Sequence, residues 1–486
     1  MKKKEIITFV IVFVVAILST IFFLKPHYSI DTVEFLTNGY DRYIQDKFLV
    51  DGRIFSVLLL KLVIDLPMRY VMPITYIIGI LISCLSVMYL RKIMIGYTKT
   101  EGKINIIPTM ISYIIIFNFM YIDAFQFMEL PIIALSILLF TIAAKIILEK
   151  KKHYILKGFI LTLIAMFCYQ GTMSVFIVTT FILLLIKNQR LNKAVILEMI
   201  KAGIFLVIAI LINYGFTTIF GGTNRIDFNI LENCKNAFIN LYMIIFDSNN
   251  HYPVYLQFVF ALIIITYCLI KKIKISNLLW IYCISIAVNL ILLMTSSGAL
   301  MPSFVQWGRV FFTIGALIGY IFMYLWCTSN IIIKDKFIKS VLIIYFLTLI
   351  ITYLQYTYFY MKGQQIDEYI ITNIDKVITE YEKENGIKIK NYAYRIDFDN
   401  YEILETSHIL NKEYKGINYT TIYNGRRTNE GISKSLFLLY ANRRIGRTAA
   451  GEEFPEEYFE NMDLKNMELF DEKRFVFRGD TVYIMF

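Results

Sequence analysis

The sequence has few charged residues and no sign of a disulfide framework. Charged residues make up 18% of the 486 residues and hydrophobic residues 57%, whereas about 25% of the residues in ordinary globular proteins are charged. This composition excludes a wholly soluble protein. Of the six cysteines, all but Cys234 lie in apolar runs. A disulfide framework needs pairs of cysteines outside the apolar runs, and a zinc site needs closely spaced cysteines and histidines. The sequence has neither pattern.

The charges that are present divide the chain into two parts. They make up 13% of residues 1–360 and 32% of residues 361–486, with net charges of +15 and −4. In the first part the basic residues form short clusters between apolar runs, a distribution that orients membrane proteins rather than one that binds phosphate backbones. We therefore expect a membrane body over 1–360 and a soluble domain over 361–486, and no nucleic-acid partner.

Eleven apolar runs have the length of a membrane span or come close to it. They occupy about residues 5–24, 68–90, 104–122, 128–148, 155–170, 171–187, 195–219, 253–270, 278–295, 309–327 and 338–360. With Lys2 to Lys4 in the cytoplasm, alternation places every dense basic loop on the cytoplasmic side, as the positive-inside rule requires. The pattern predicts an all-α polytopic membrane protein with about 11 spans, a retained first helix, a first external loop over 25–67 and a C-terminal extracytoplasmic α+β domain. That domain is predicted to begin with a charged helix from residue 363 to near Gly386 and to end in a hairpin, Arg474 to Phe486, that turns at Arg478-Gly479-Asp480.

The first external loop holds the candidate catalytic acids. Asp31 and Glu34 follow the first predicted span, among further carboxylates. Apolar surroundings at a membrane boundary can raise the pKa of a carboxylate, which suits a base that takes a proton from a hydroxyl. From the spacing alone, a solvated acidic loop is the favoured explanation of the same residues, because structural charges outnumber catalytic ones.

Other polar residues gather at the external ends of the predicted spans: Glu129, Tyr169, Gln170 and Arg309. Each alone could be a helix-end anchor, but a common face favours a substrate-binding site. Arg53 and Arg309 could bind a phosphate, since a guanidinium binds phosphate bidentately and stays charged. Arg53 could instead pair with Asp51 across Gly52.

Known nucleotide and metal motifs are absent from the sequence. It contains no Walker loop, no dinucleotide-type glycine fingerprint after a strand and no HExxH. We therefore expect no cofactor and no obligatory metal.

Several short segments recur in an order that resembles the bacterial serotype-converting glucosyltransferases, which are polytopic membrane enzymes of the GT-C class. The most specific are Asn38-Gly39-Tyr40 with Asp51-Gly52-Arg53, and Tyr169-Gln170 between two short spans. Tyr28 to Asp31, Phe125 to Pro131 and Gly308-Arg309 add to the resemblance, which covers about residues 5–360.

The resemblance implies a multi-pass protein of the bacterial inner or plasma membrane. It would transfer glucose or a similar hexose from a polyprenyl-phosphate-linked donor to a hydroxyl of a surface polysaccharide or other glycan. An acid early in the first external loop is the expected catalytic position, which Asp31 matches. The family often shows two adjacent acids there, whereas Asp31 is followed by Thr32, so Asp31 could act alone or with Glu34.

The chemistry of such a transfer suggests roles for the other polar residues. Asp31 or Glu34 would be the base of an inverting transfer, and Arg53 and Arg309 would bind the donor phosphate. The substrate-binding candidates are Asp51, Glu129, Tyr169 and Gln170. Two other functions fit a polytopic protein of this composition: a polysaccharide polymerase or ligase that moves a whole lipid-linked glycan, and a non-enzymatic flippase for lipid-linked sugars.

Overall fold

The structure is a computed structural model of the chain. It describes residues 3–29, 43–63, 65–98, 106–221, 254–271, 275–293, 308–329, 335–395, 434–447 and 470–485, together with isolated positions between these ranges. The chain forms two compact units. Unit 1 comprises Met1–Pro26 and Tyr40–Thr357, and unit 2 comprises His27–Gly39 and Tyr358–Phe486.

Unit 1 is built from helices, as the long apolar runs predict. The helices described within it are α1 (Lys3–Ser19), α2 (Ile54–Val63), α3 (Met68–Thr98), α4 (Ile106–Ile116), α5 (Leu130–Glu149), α6 (Tyr154–Cys168), α7 (Ser174–Asn188), α8 (Lys193–Gly221), α9 (Val254–Ile270), α10 (Ser276–Leu293), α11 (Phe312–Gly315) and α12 (Leu317–Thr328). Helix α13 (Lys336–Asn385) begins in unit 1 and ends in unit 2. Each of the eleven predicted runs contains a helix.

Six described helices are long and apolar enough to cross a membrane. They are Arg69–Thr98, Leu130–Glu149, Gln170–Asn188, Lys193–Gly221, Arg309–Thr328 and Lys336–Asn385. Five further apolar helices are shorter, between 10 and 17 residues. These findings agree with an all-α membrane protein, and the predicted number of about 11 spans stays a prediction. The predicted break within 155–187 is confirmed, because α6 ends at Cys168 and α7 starts at Ser174.

Several helices are preceded or followed by short irregular turns, and these turns carry or adjoin the polar residues singled out from the sequence. A π-helical turn covers Ile44–Val50, and 3₁₀ turns cover Tyr121–Gln126, Gln170–Thr172 and Gly308–Phe311. Asn118 fastens the first of these 3₁₀ turns to α4. Its Nδ2 donates to the Ile115 carbonyl at 2.9 Å, and its Oδ1 accepts from the amides of Met120 and Tyr121 at 3.0 and 3.2 Å.

Aromatic side chains pack between these turns and the helices. The Phe125 ring lies 5.3 Å from the Tyr121 ring and 5.4 Å from the Tyr353 ring, both edge to face. All three side chains are fully buried. Burial of these large rings gives the turn that bears Asp123 a fixed support.

Unit 2 combines the end of α13 with a small mixed sheet. Its strands are β1 (Asn391–Arg395), β2 (Gly446–Arg447), β3 (Phe475–Arg478) and β4 (Thr481–Met485), and it also contains α14 (Lys434–Ala441). The order in the sheet is β2-β1-β4-β3, with β1 parallel to both β2 and β4 and with β3 antiparallel to β4. The predicted hairpin is confirmed, since the chain reverses at Gly479-Asp480, where Gly479 has φ +59°.

The helix of unit 2 differs from the prediction at its start. The sequence predicted a separate charged helix from residue 363, whereas α13 is continuous from Lys336 to Asn385. No proline or glycine pair interrupts the chain at the change from apolar to charged residues, so nothing local stops the helix there. Its end agrees with the prediction, because Gly386 follows with φ +68°.

Unit 2 also holds the start of the first predicted external loop. Gln364 Oε1 accepts from the Tyr28 amide at 3.1 Å, and Gln364 Nε2 donates to the Tyr28 carbonyl at 3.1 Å. The Tyr360 hydroxyl donates to the same carbonyl at 2.9 Å, and the Tyr440 hydroxyl donates to Gln364 Oε1 at 3.3 Å. Burial, with the negative charge of Asp367, raises the pKa of Tyr440, so this hydroxyl stays a donor.

Candidate active site

The candidate site lies in unit 1 around Tyr169, where the chain breaks between α6 and α7. Tyr169 has an extended backbone and is 3% exposed. Its ring folds back over Gly171, where an added Cβ would lie 2.5 Å from Cε1 of that ring. A glycine is therefore needed at this position for the ring to take its place.

Arg309 donates to the Tyr169 hydroxyl and to a buried aspartate. Its Nε lies 2.9 Å from the Tyr169 hydroxyl, and its Nη1 lies 2.7 Å from Oδ2 of Asp123. The side chains of Arg309 and Asp123 are only 10% and 7% exposed. The other Asp123 oxygen accepts from Gln126 Nε2 at 2.8 Å. This buried ion pair is thus hydrogen-bonded on both sides, as a buried pair must be to be tolerated.

Phe127 completes the surroundings of Arg309. The guanidinium carbon of Arg309 lies 4.1 Å from the centroid of the Phe127 ring, within cation–π range. Three contacts of different kinds therefore fix this guanidinium in the turn Gly308–Phe311.

Arg53 reaches the same tyrosine from a different part of the chain. Its guanidinium carbon lies 4.8 Å from the centroid of the Tyr169 ring. Its Nη1 lies 3.4 Å from Oδ2 of Asp51, so the pairing that the sequence offered as an alternative is present. The Nε of Arg53 is buried and has no hydrogen-bond partner within the part of the chain that the structure describes.

The charge of Arg53 is secure in this environment. Burial lowers its pKa, but nearby negative charge, first that of Asp51 and then that of Glu129, more than offsets this, so the pKa lies above its ordinary value. The positive charge of Arg309 acts in the opposite sense. Two arginines therefore influence one another's electrostatics while both stay cationic.

Amide side chains hold the turn that precedes Arg53. Gln170 Nε2 donates to the Asp51 carbonyl at 2.6 Å and to Asn213 Oδ1 at 3.3 Å. Asn213 Nδ2 in turn donates to the Gly52 carbonyl at 3.3 Å. Gly52 has φ +65°, and an added Cβ there would lie 2.7 Å from Asn213 Nδ2. Only glycine fits both this backbone conformation and this close approach.

Glu129 is a third carboxylate of the region. It lies just before α5 and is 6% exposed, and its Oε1 accepts from the Tyr43 hydroxyl at 2.7 Å. The negative charge of Glu129 also helps to raise the pKa of Arg53.

The structure thus brings together six of the residues singled out from the sequence: Asp51, Arg53, Glu129, Tyr169, Gln170 and Arg309. The two proposed bases, Asp31 and Glu34, lie outside the described residues. Among the residues that are described, no group of three or more His, Cys, Asp or Glu side chains could hold a metal ion.

Sequence reasoning did not assign roles to Tyr43, Asp123, Phe127 or Asn213. Asn213 had a usable signal, because it is a polar residue within the long apolar run of α8. Asp123 stands near Glu129 in the sequence, but its pairing with the distant Arg309 depends on the fold. Phe127 lies in the Phe125 to Pro131 segment of the resemblance but carried no assigned role, and Tyr43 gave no signal.

Comparison with known proteins adds one positive finding. A sequence model of the family described as glucosyl transferase GtrII matches residues 20–325. No curated protein and no solved structure matches the chain. The matched region covers well over half of the chain and includes every described site residue. The chain therefore belongs to the glucosyl transferase GtrII family and is a glycosyltransferase.

Proposed function

We propose that this protein transfers glucose or a similar hexose from a polyprenyl-phosphate donor to a hydroxyl of a cell-surface glycan. The observation that carries the proposal is the placement of Arg53 and Arg309 on one tyrosine. Two guanidiniums held together at the end of apolar helices form a site for a phosphate attached to a lipid. The family supplies the glucosyl chemistry.

In this proposal the arginines bind the phosphate that leaves. As the bond between the sugar C1 and the phosphate oxygen breaks, its electron pair moves to the phosphate and increases its negative charge. Fixed guanidiniums stabilise that charge without having to reorganise. The buried Nε of Arg53 supplies one donor for it. Asp123 and Asp51 hold the two arginines in place.

The base is proposed from the sequence. Asp31, or Glu34 in its place, takes the proton of the acceptor hydroxyl while that oxygen attacks C1 from the face opposite the phosphate. A single displacement of this kind inverts the configuration at C1. The products are the glycosylated acceptor, the polyprenyl phosphate and a protonated carboxyl group, which returns its proton to water.

Further polar groups of the region suit sugar binding. Glu129 and Gln170 are candidates to bind sugar hydroxyls, since carboxylate and amide groups are typical partners of hydroxyls. The side chain of Asp51 is 1% exposed and pairs with Arg53. This supports a role in holding Arg53 rather than one in direct contact with substrate.

The location of the reaction is part of the proposal. The basic clusters between the apolar runs favour a bacterial inner or plasma membrane protein with its N-terminus in the cytoplasm. The irregular turns that bear the site residues would then lie on the external face, and so would the domain formed by residues 361–486.

A transfer assay on the purified protein in lipid nanodiscs tests the proposal. Polyprenyl-phosphate glucose is the donor, and glycan extracted from the native cell surface is the acceptor. We expect transfer, with inversion seen by NMR of the new linkage. Asp31→Asn should lower the rate by about 10²–10⁴-fold, the usual contribution of a general base. Glu34→Gln should have the same effect if Glu34 is the base.

Asp41→Asn is the matched control, because Asp41 is an exposed acid of the same loop. It should leave the rate unchanged. Transfer of a whole lipid-linked glycan, with no transfer from the monosaccharide donor, would contradict the proposal and identify a polymerase or ligase. Movement of the donor across the bilayer of proteoliposomes, without transfer, would identify a flippase.

A further inference from the structure

Asn213 is a buried polar residue in a helix whose described buried residues are otherwise apolar except for Thr217. It is 5% exposed and shares the buried side of α8 with Leu206 and Ala209. It lies eight residues before the end of the helix at Gly221, a distance of about 12 Å along the axis. Polar groups at such positions are costly unless they are hydrogen-bonded, and they often mark functional sites.

Both ends of the Asn213 amide are used. The oxygen accepts from Gln170 Nε2 at 3.3 Å, and the nitrogen donates to the Gly52 carbonyl at 3.3 Å. Gln170 donates from the same nitrogen to the Asp51 carbonyl at 2.6 Å. Two side-chain amides from two different helical segments therefore hold two consecutive carbonyls of one turn.

The turn so held is the one that aims Arg53. Gly52 takes a left-handed conformation with φ +65°, and a Cβ added there would lie only 2.7 Å from Asn213 Nδ2. Arg53 follows at once, and its own amide donates to the Lys47 carbonyl at 2.8 Å. A rotation of the Gly52 peptide would therefore swing the Arg53 side chain away from Tyr169.

We infer that Asn213 is a positioning residue for Arg53, through which it sets the affinity for the phosphate of the donor. The inference rests on the proposed function, in which Arg53 binds that phosphate. It extends the site into α8 and gives a membrane helix amide a part in donor recognition. Asn213 itself touches main chain and Gln170, so we expect its effect on the donor phosphate to pass through the turn that carries Arg53.

A double-mutant cycle separates positioning from simple structural support. Asn213→Leu should raise the KM for polyprenyl-phosphate glucose about ten-fold and change kcat by less than about three-fold, because it weakens an interaction present in the bound donor as well as in the transition state. Arg53→Ala should raise the KM more. Adding Asn213→Leu to Arg53→Ala should then change kcat/KM by less than about two-fold.

Asn188→Leu is the control, because it removes the same side chain from another helix. Asn188 lies at the end of α7, where its Nδ2 donates to the Leu184 carbonyl of its own helix at 2.9 Å. It should leave KM and kcat unchanged. Equal effects of Asn213→Leu in the presence and absence of Arg53 would overturn the inference and leave Asn213 a structural residue.

A second measurement does not need the donor. Hydrogen exchange of peptides that cover residues 51–54 reports the Arg53 amide, which is bonded to the Lys47 carbonyl. Asn213→Leu should speed this exchange at least about ten-fold, and Asn188→Leu should not. Unchanged exchange overturns the inference. If the wild-type protein fails to use polyprenyl-phosphate glucose, the proposed function fails, and hydrogen exchange alone then decides whether Asn213 holds the turn.

Discussion

The two units bury their arginines in different ways. In unit 2, Arg474 is 3% exposed, and all three of its nitrogens donate to main-chain carbonyls, those of Glu468, Met467 and Met485. In unit 1, Arg53 leaves Nε without a hydrogen-bond partner among the described residues. An arginine whose three nitrogens all donate to main-chain carbonyls supports the fold, whereas an arginine that is held in place but has one nitrogen without a partner can still bind a ligand.

The polar network also differs between the units. Unit 1 uses a buried ion pair, Arg309 with Asp123, beside the stacked Arg53 and Tyr169. Unit 2 fixes the Tyr28 segment with the neutral amide of Gln364. Both units bury charged side chains, Arg474 and Asp367 among them in unit 2, but the described contacts join two arginines through one tyrosine in unit 1.

Arg309→Ala tests the charged side of this comparison and should have the largest effect. It leaves the Asp123 carboxylate buried without its ion-pair partner, so we expect a loss of about 3–5 kcal/mol in the free energy of unfolding. Transfer should fall by about 10²–10³-fold, as for removal of a charge-stabilising donor. Unfolding in mixed micelles and the transfer assay measure the two effects. A variant with near-normal transfer would show that Arg309 serves the fold alone.

Gly52→Ala tests whether the turn before Arg53 is as constrained as it looks. The new Cβ would lie 2.7 Å from Asn213 Nδ2, and the residue would have to keep a left-handed backbone conformation. We expect the free energy of unfolding to fall by about 2–4 kcal/mol. Gly203→Ala is the control, since nothing lies within 4 Å of a Cβ at that helical position. The same unfolding assay should show Gly203→Ala unchanged or slightly stabilised. Equal stability of both variants would refute the tight turn.

Gln364→Leu tests the neutral side of the comparison. It removes the hydrogen bonds that the Gln364 amide makes with the Tyr28 amide and carbonyl. We expect the free energy of unfolding to fall by about 1–3 kcal/mol. Hydrogen exchange at Tyr28 should be faster as a result. Gln365→Leu is the matched control, because Gln365 is the exposed neighbour of Gln364. If both variants exchange alike, the Gln364 amide does not hold this segment.

Lys390→Ala should have the smallest effect. Lys390 pairs with Asp480 at 3.3 Å, but the two side chains are 70% and 44% exposed. Such surface pairs contribute about 1 kcal/mol or less. The unfolding assay at low and high salt measures this, and a loss as large as that of Arg309→Ala would remove the contrast between buried and exposed pairs.

Part of the site could be predicted from the sequence, and part could not. Polar residues at the ends of apolar runs were identifiable from the sequence: Glu129, Arg309 and the Tyr169-Gln170 pair. Burying polar side chains there costs free energy, so their presence indicates a functional site. The partner of Arg309 was not identifiable, because Asp123 is separated from it by most of unit 1. Asn213 was visible as a polar residue in an apolar helix, but its contact with Gly52 was not.

The sequence by itself determined the helices of the membrane body, the break after Cys168 and the C-terminal hairpin. These depend on local chemistry: long apolar runs favour helices whose backbone bonds are internal, and glycine with aspartate favours a tight turn. The tertiary structure alone decided that Arg53 and Arg309 meet at Tyr169. That meeting depends on the packing of helices that are distant in sequence, and no local propensity encodes it.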